Sequence, residues 1–307
     1  MKDLWVEKYR PNKVDEYVFK DQNQRSQVQN WITDGGIPHL LFSGSPGTGK
    51  TTLAKVLIAE LNVEKADVLY INASRDNGVD MIRKRISAFS ETMPWGEFKV
   101  ILLDEADHIS PEGQAALRGV MEQYHASVRF ILTCNYPNMI IPALHSRCQG
   151  FHIEELDHTD FTVRVGEILA QNAVNFDIET LDAMVRANYP DLRKTINTVQ
   201  MSIVDNTLAM PEDGGSTSEW RLAMVELFRS GKIQEARKLI IKSARADEYN
   251  DIFTWLYKNL DLYTKNDFQY DSCVLAIREG LIKHTQVADP EINLSATMIE
   301  LARTLNE

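Results

Sequence analysis

Gly44-Ser45-Pro46-Gly47-Thr48-Gly49-Lys50-Thr51-Thr52 decides the fold. Gly44, four residues, then Gly49-Lys50-Thr51 is the spacing of a phosphate-binding loop. The apolar run Leu40-Leu41-Phe42 before it reads as a buried strand, and Thr52-Leu53-Ala54-Lys55-Val56-Leu57-Ile58 after it as a helix. That strand–loop–helix context separates the motif from a glycine-rich turn. Glycines here let backbone N–H groups turn inward onto phosphate oxygens, and the helix N-terminus adds partial positive charge. Lys50 is spaced to reach the outer phosphates, and Thr51 to hold a divalent cation through its hydroxyl.

Outward from the loop, short apolar runs at 39–43, 68–72, 99–103 and 128–133 read as buried parallel strands. Helical patterns lie near 22–33, 50–60, 78–90 and 111–123, the last begun by Pro111, whose missing N–H is harmless there. This alternation predicts a doubly wound α/β domain. From about 157 the pattern is helical only, near 158–172, 178–187 and 191–206, with Pro190-Asp191 as break and cap. Residues 210–218 have linker composition, and helices are expected near 219–229, 231–244, 248–260, 270–285 and 290–305. The expected organisation is an α/β domain over 1–156, a helical domain over 157–209, a linker over 210–218 and a second helical domain over 219–307.

The 307 residues carry a net charge of −11, unevenly spread. Residues 1–150 hold 17 Lys and Arg against 18 Asp and Glu, and residues 151–307 hold 16 against 26. The acidic second half opposes indiscriminate nucleic-acid binding, so such contacts are expected from local basic features of the first half. The three cysteines, Cys134, Cys148 and Cys273, form no C-x-x-C pair, which fits a reducing, cytosolic compartment without a zinc site or disulfide framework. The N-terminus has no apolar signal core, and no apolar run approaches a membrane span.

A second motif is Val100-Ile101-Leu102-Leu103 followed by Asp104-Glu105. A buried strand there ends in two carboxylates at the sheet edge that carries the glycine loop. Asp104 is suited to a Mg²⁺ water shell and Glu105 to polarising an attacking water. Asp107 completes the tetrapeptide Asp104-Glu105-Ala106-Asp107. Asn135, ending Leu132-Thr133-Cys134-Asn135, puts an amide near the terminal phosphate, although a strand-end Asn is by itself often a turn former. Arg147, in Ser146-Arg147-Cys148, lies beyond a turn after the fourth strand. That is too far round the domain for its own nucleotide, and it suits an arginine finger offered to a neighbouring subunit. Arg193, in Pro190-Asp191-Leu192-Arg193-Lys194, is placed to fold down on the phosphate.

Taken in order, GSPGTGKTT, LLDEAD, LTCN, HSRC and PDLRK resemble the AAA+ ATPases of sliding-clamp loaders. The resemblance spans about residues 4–206, and the Ser-Arg-Cys element is characteristic of clamp loaders. It implies a RecA-like ATPase domain, a helical lid and a collar that joins subunits, and no membrane partner. ATP and Mg²⁺ are the implied cofactors. Trp5-Val6-Glu7-Lys8-Tyr9-Arg10-Pro11 looks like the segment with which such subunits cover the adenine. Both the small subunits of replication factor C and the large subunit of T-even-like phage clamp loaders are similar. The short linker and collar favour the phage type, in which four copies join one dissimilar subunit.

The resemblance also implies partners: other clamp-loader subunits in a pentamer, a sliding clamp and primer–template DNA. Candidate DNA contacts are Arg75, Arg83, Lys84, Arg85 and Ser110, and they would position the backbone without reading sequence. Arg83-Lys84-Arg85 reads equally well as a solvated helix face. Asn72 and Arg118 resemble residues that couple DNA to the catalytic Glu and to the next subunit, although Gly119 follows Arg118 where the family has paired arginines. Phe89, Met93 and Trp95 are candidates for a hydrophobic pocket on the clamp, or else ordinary core residues. Two other functions stay open: a nucleotide-binding scaffold, opposed by the intact Lys50, Asp104, Glu105 and Asn135, and another DNA-directed AAA+ motor, opposed by the Ser-Arg-Cys element and the helical tail.

Overall fold

The computed structural model describes residues 4–76, 78–153, 156–209, 227, 232–243, 249–284 and 286–306. The chain divides into two compact units, Met1–Met210 and Pro211–Glu307. The first is built on a five-stranded sheet in the order β2-β3-β4-β1-β5. Its strands are β1 (Leu40–Ser43), β2 (Val68–Asn72), β3 (Lys99–Asp104), β4 (Val128–Cys134) and β5 (Gln149–His152), and every pairing is parallel. Four of them are the expected strands. β5 is additional: Phe151 is its only buried residue, so a polar edge strand carried no apolar run to read.

Alternation along β1 explains the two layers of core. Leu40 and Phe42 face one side, with Val28 and Trp31 of α2 (Gln22–Thr33) and Leu53 and Leu57 of α3 (Lys50–Glu60). Leu41 faces the other, with Ile101, Phe130 and Leu117 of α5 (Pro111–Gln123). Phe42 and Phe130 are fully buried, and truncation of either to Ala costs about 3–5 kcal/mol.

Helix starts are set by side chains that accept orphan N–H groups. Asp21 caps α2, Ser110 caps α5, Asp157 caps α7 (His158–Gln171), Asp177 caps α8 (Ile178–Asn188) and Asp191 caps α9 (Leu192–Met201). The helix expected over 191–206 ends at Met201. Ile203–Val204 and Thr207–Leu208 then pair antiparallel across Asp205 and Asn206, both at positive φ, a turn chemistry that overrides the helical pattern. α7 to α9 share a core with the sheet through Phe161, Val165, Leu181 and Ile196.

The second unit holds helices Ile233–Ser243, Tyr249–Lys258, Asp267–His284 and Pro290–Asn306 around Ile240, Phe253, Ile277 and Leu301. Gly280 allows the last two to approach, since a Cβ there would lie 2.4 Å from Thr297 Oγ1. The 210–218 linker lies outside the described residues, as does the 219–229 helix apart from Leu227. Among the described residues no helix is long and apolar enough to cross a membrane.

Candidate nucleotide site

Parallel pairing brings the C-terminal ends of β1, β3 and β4 to one edge, with Ser43 beside Cys134 and Asn72 beside Asp104. The glycine loop leaves β1 at this edge, the usual ligand position in an open α/β sheet. Gly44 must be glycine because a Cβ would lie 2.0 Å from the Ile153 carbonyl oxygen. Gly47 has φ +78, and a Cβ on it would lie 1.9 Å from Asp191 Oδ1, so the cap of α9 rests against the loop. Ser45 and Pro46 form the rise of the loop, and Thr48 is tied back by its hydroxyl to the Ser45 carbonyl at 2.9 Å. Gly49 caps α3 in the left-handed conformation. Tyr17 closes the loop from behind by donating to the Thr48 carbonyl at 3.3 Å.

Lys50 Nζ donates to the carbonyls of Gly44 at 2.8 Å and Ser45 at 2.7 Å. Burial lowers its pKa to about 8, against the opposing pull of Cys134, Asp107 and Asp104. Burial also pushes the Cys134 thiol up to about 12, so it is no nucleophile. Asp104 is the hub of the edge. Its Oδ1 accepts from Thr51 Oγ1 and Thr133 Oγ1, each at 2.6 Å, and its Oδ2 accepts from Tyr70 at 2.9 Å.

Glu105 turns the chain sharply, at φ 58 and ψ 45, an uncommon conformation for a residue with a side chain. Its N–H donates to Thr133 Oγ1 at 3.0 Å, so Thr133 fixes both carboxylate-bearing residues. Asp107 is buried, and its Oδ2 accepts the N–H groups of Asn135 and Tyr136.

A cleft runs from this edge to the N-terminal segment. Tyr9, Arg10 and Pro11 line it with Gly47, Gly49 and Thr52, and Arg193 and Arg164 line its far wall. Arg193 lies close enough to Lys50 for its charge to add slightly to the lowering of the lysine's pKa. Arg164 donates to the Tyr9 carbonyl at 3.2 Å, and the Trp5 N–H donates to Gln200 at 3.1 Å, tying the segment to α7 and α9.

Arg147 is not among the residues lining this cleft. It follows α6 (Pro142–His145), forms an ion pair with Glu122 and donates to the Ala143 carbonyl at 3.0 Å. Glu122 also accepts from Arg118 Nε at 3.1 Å. Gln114, buried in α5, donates to the Ile109 and Met139 carbonyls and accepts the Ile141 N–H.

The remaining candidates scatter. Arg75 is exposed, Lys84 pairs with Asp80 at 3.7 Å and Arg85 with Asp76 at 3.2 Å, while the side chain of Arg83 lies outside the described residues. The Ser110 hydroxyl accepts the Gly113 N–H, and Asn72 accepts from Ser74. Met93 and Trp95 are exposed, whereas Phe89 packs inward on the core that holds Ile86, drawn in by its apolar ring. Thr133, Tyr70 and Glu122 were not singled out from sequence. Only Glu122 had a local signal, its i+4 spacing from Arg118.

Residues 40–154 match the model of the ATPase family associated with various cellular activities (AAA). The replication factor C small subunit of Methanococcus vannielii is 35% identical, over 98% of this chain and 99% of its own length. That of Thermofilum pendens is 33% identical over 98% and 96%. Among solved structures, the Thermotoga maritima RuvB Holliday junction branch migration motor has a TM-score of 0.56 at 13% identity, covering 72% of this chain and 79% of that one, a likeness of fold alone. The replication factor C relatives match over nearly their whole length, so the linker and collar that read as trimmed do not set the chain apart from them. The expectation of a phage source rested on that trimming and gains no support from these relatives. The chain belongs to the replication factor C small-subunit family and is a nucleotide-binding clamp-loader ATPase subunit.

Proposed function

We propose that the subunit binds ATP with Mg²⁺, assembles with other clamp-loader subunits, opens a sliding clamp and docks it on primer–template DNA, and that hydrolysis releases the clamp. The observation that carries the reading is the split of the catalytic set. Lys50, Asp104, Glu105 and Asn135 gather where the C-terminal ends of the strands meet, while Arg147 sits on Glu122 beside His39 and His125, at the opposite ends of the strands. Such a site is complete only with a neighbour's arginine.

Thr51 and Asp104 offer hard oxygen donors, the set that suits Mg²⁺ with its retained waters. When bound, Mg²⁺ neutralises charge on the phosphates. Lys50 exchanges its two carbonyl partners for phosphate oxygens. Glu105 accepts the proton of the attacking water, Asn135 and Arg193 bind the terminal phosphate, and Arg147 serves the neighbouring subunit. Tyr9, Arg10 and Pro11 hold the base.

Residues 157–209 act as the lid, and 219–307 as the collar, in the cytoplasm of the cell or host. Support for assembly comes from Phe268, Leu275 and Ile282, exposed at seven-residue spacing on one helix of the second unit, and from Ile292 and Ile299 on the next. Arg75, Arg83, Lys84, Arg85 and Ser110 remain the proposed DNA-facing residues, Asn72 and Arg118 the coupling residues, and Met93 and Trp95 the proposed clamp contacts, a pair of apolar side chains held in solvent.

The test is steady-state ATP hydrolysis by the chain with its partner subunit, with no addition, clamp, primer–template DNA, or both. Synergy of clamp and DNA is expected. Stimulation by DNA that ignores the clamp would instead indicate another DNA-directed motor.

A further inference from the structure

Two charged side chains are buried away from the candidate nucleotide site, at the opposite ends of the strands. Asp67, directly before β2, is fully buried, and Lys99, the first residue of β3, is 2% exposed. Neither has an ion-pair partner among the described residues. Buried charge without a counter-charge is destabilising unless hydrogen bonds compensate, so what these groups bond to matters. Asp67 Oδ2 accepts the backbone N–H groups of Trp95 at 2.8 Å and Gly96 at 2.7 Å. Lys99 Nζ donates to the Phe89 carbonyl at 2.8 Å and to the Thr92 hydroxyl, and lies 4.5 Å from the centre of the Phe89 ring. All of these contacts fall within residues 89–96.

The same loop carries Met93 at 86% and Trp95 at 85% exposure, the two most exposed large apolar side chains described in the first unit. An unsupported loop would collapse such residues onto the core. Here its two ends are pinned by groups on adjacent strands, with Val68 paired to Val100. Resting on the reading of Met93 and Trp95 as clamp contacts, we infer that Asp67 and Lys99 are positioning residues that pre-organise this loop for an apolar pocket on the sliding clamp. Fixing the loop beforehand removes its ordering entropy from binding, which strengthens an interface without adding a contact.

The test compares Trp95→Ala, Met93→Ala, Asp67→Ala, Lys99→Met and Thr92→Val in the assembled complex bound to a non-hydrolysed ATP analogue. Clamp affinity is read by fluorescence anisotropy of labelled clamp, and loop order by amide hydrogen exchange over residues 92–97. Trp95→Ala should weaken clamp binding about ten-fold or more, as expected of a buried anchor. Asp67→Ala should speed exchange at Trp95 and Gly96 and weaken clamp binding by a similar factor, with ATP affinity unchanged. Thr92→Val, at an exposed position, should weaken clamp binding a few-fold without loss of fold, and decides the matter if Asp67→Ala or Lys99→Met fails to fold. Faster exchange with unaltered clamp affinity, while Trp95→Ala still weakens it, would overturn the positioning role and leave the docking reading standing. Unaltered affinity in Trp95→Ala and Met93→Ala would remove the docking reading itself, and the positioning role with it.

Discussion

Asp107 Oδ2 receives the backbone N–H of Asn135 at 3.0 Å, and the N–H of Tyr136 at the same distance. The end of β4 is therefore held by a carboxylate from the turn after β3, which fixes the backbone that carries the Asn135 side chain. Asp107→Ala would leave two N–H groups without this acceptor, a penalty of about 1–3 kcal/mol each where they are buried. The expected outcome is a loss of discrimination between a non-hydrolysed ATP analogue and ADP, read as the ratio of their dissociation constants. Asp107→Asn keeps an acceptor oxygen and should restore most of that ratio. Equal ratios in all three proteins would show that Asp107 does not position Asn135.

Glu122 bonds both Arg118 and Arg147, so one carboxylate joins the α5 helix to the proposed finger. Its side chain is 43% exposed, and exposed ion pairs contribute about 0–1 kcal/mol. Glu122→Gln should therefore change turnover of the assembled complex only several-fold. Arg147→Ala should lower it by about 10³-fold or more while ATP stays bound, the scale of a lost arginine finger. Unchanged turnover in Arg147→Ala would remove the trans assignment.

Asp191 accepts the Lys194 N–H at 2.8 Å and its Oδ1 meets Gly47. It is at once the cap of α9 and the contact of that helix with the phosphate loop. Loss of such a cap costs about 1 kcal/mol. Asp191→Ala should lower the thermal midpoint by about 2–4 °C for a unit of this size. It should also weaken ATP binding, because Arg193 lies in the first turn of the loosened helix. Gly47→Ala should weaken ATP binding more, since the added Cβ meets Asp191 and the positive φ is retained. Wild-type affinity in Gly47→Ala would contradict the close approach.

The glycine loop, Asp104 and Asn135 were legible because each closes a run of apolar residues that must be buried on both faces. Their partners were not. Tyr70 and Thr133 reach Asp104 from β2 and β4, and only strand order puts them there. Asp67 precedes one apolar run and Lys99 opens another, and nothing local in a sequence marks such a charge for burial. The hairpin at Asp205-Asn206 was missed for the opposite reason, as its apolar spacing also fits a helix and two left-handed residues decided against it.

His39 gives the pH dependence. Its Nδ1 accepts the Phe130 N–H at 3.2 Å, which only an unprotonated nitrogen can do, and its ring lies 5.5 Å from that of Phe130. Burial, with Arg129 and His125 adding positive charge, lowers its pKa from 6.5 to about 4. The folded state thus holds His39 neutral, whereas the unfolded chain takes up a proton below 6.5. Between those values the unfolded state binds more protons, so stability falls as the pH falls from about 6.5 towards 4. Above 6.5 both states are neutral at this residue and it contributes no slope. His39→Asn can still accept the Phe130 N–H but cannot titrate. Denaturant unfolding at pH 7, 6 and 5 should show the wild type losing more stability than His39→Asn, and the carboxylates common to both cancel in the difference. Parallel pH profiles would mean that His39 is protonated without loss of its bond to Phe130.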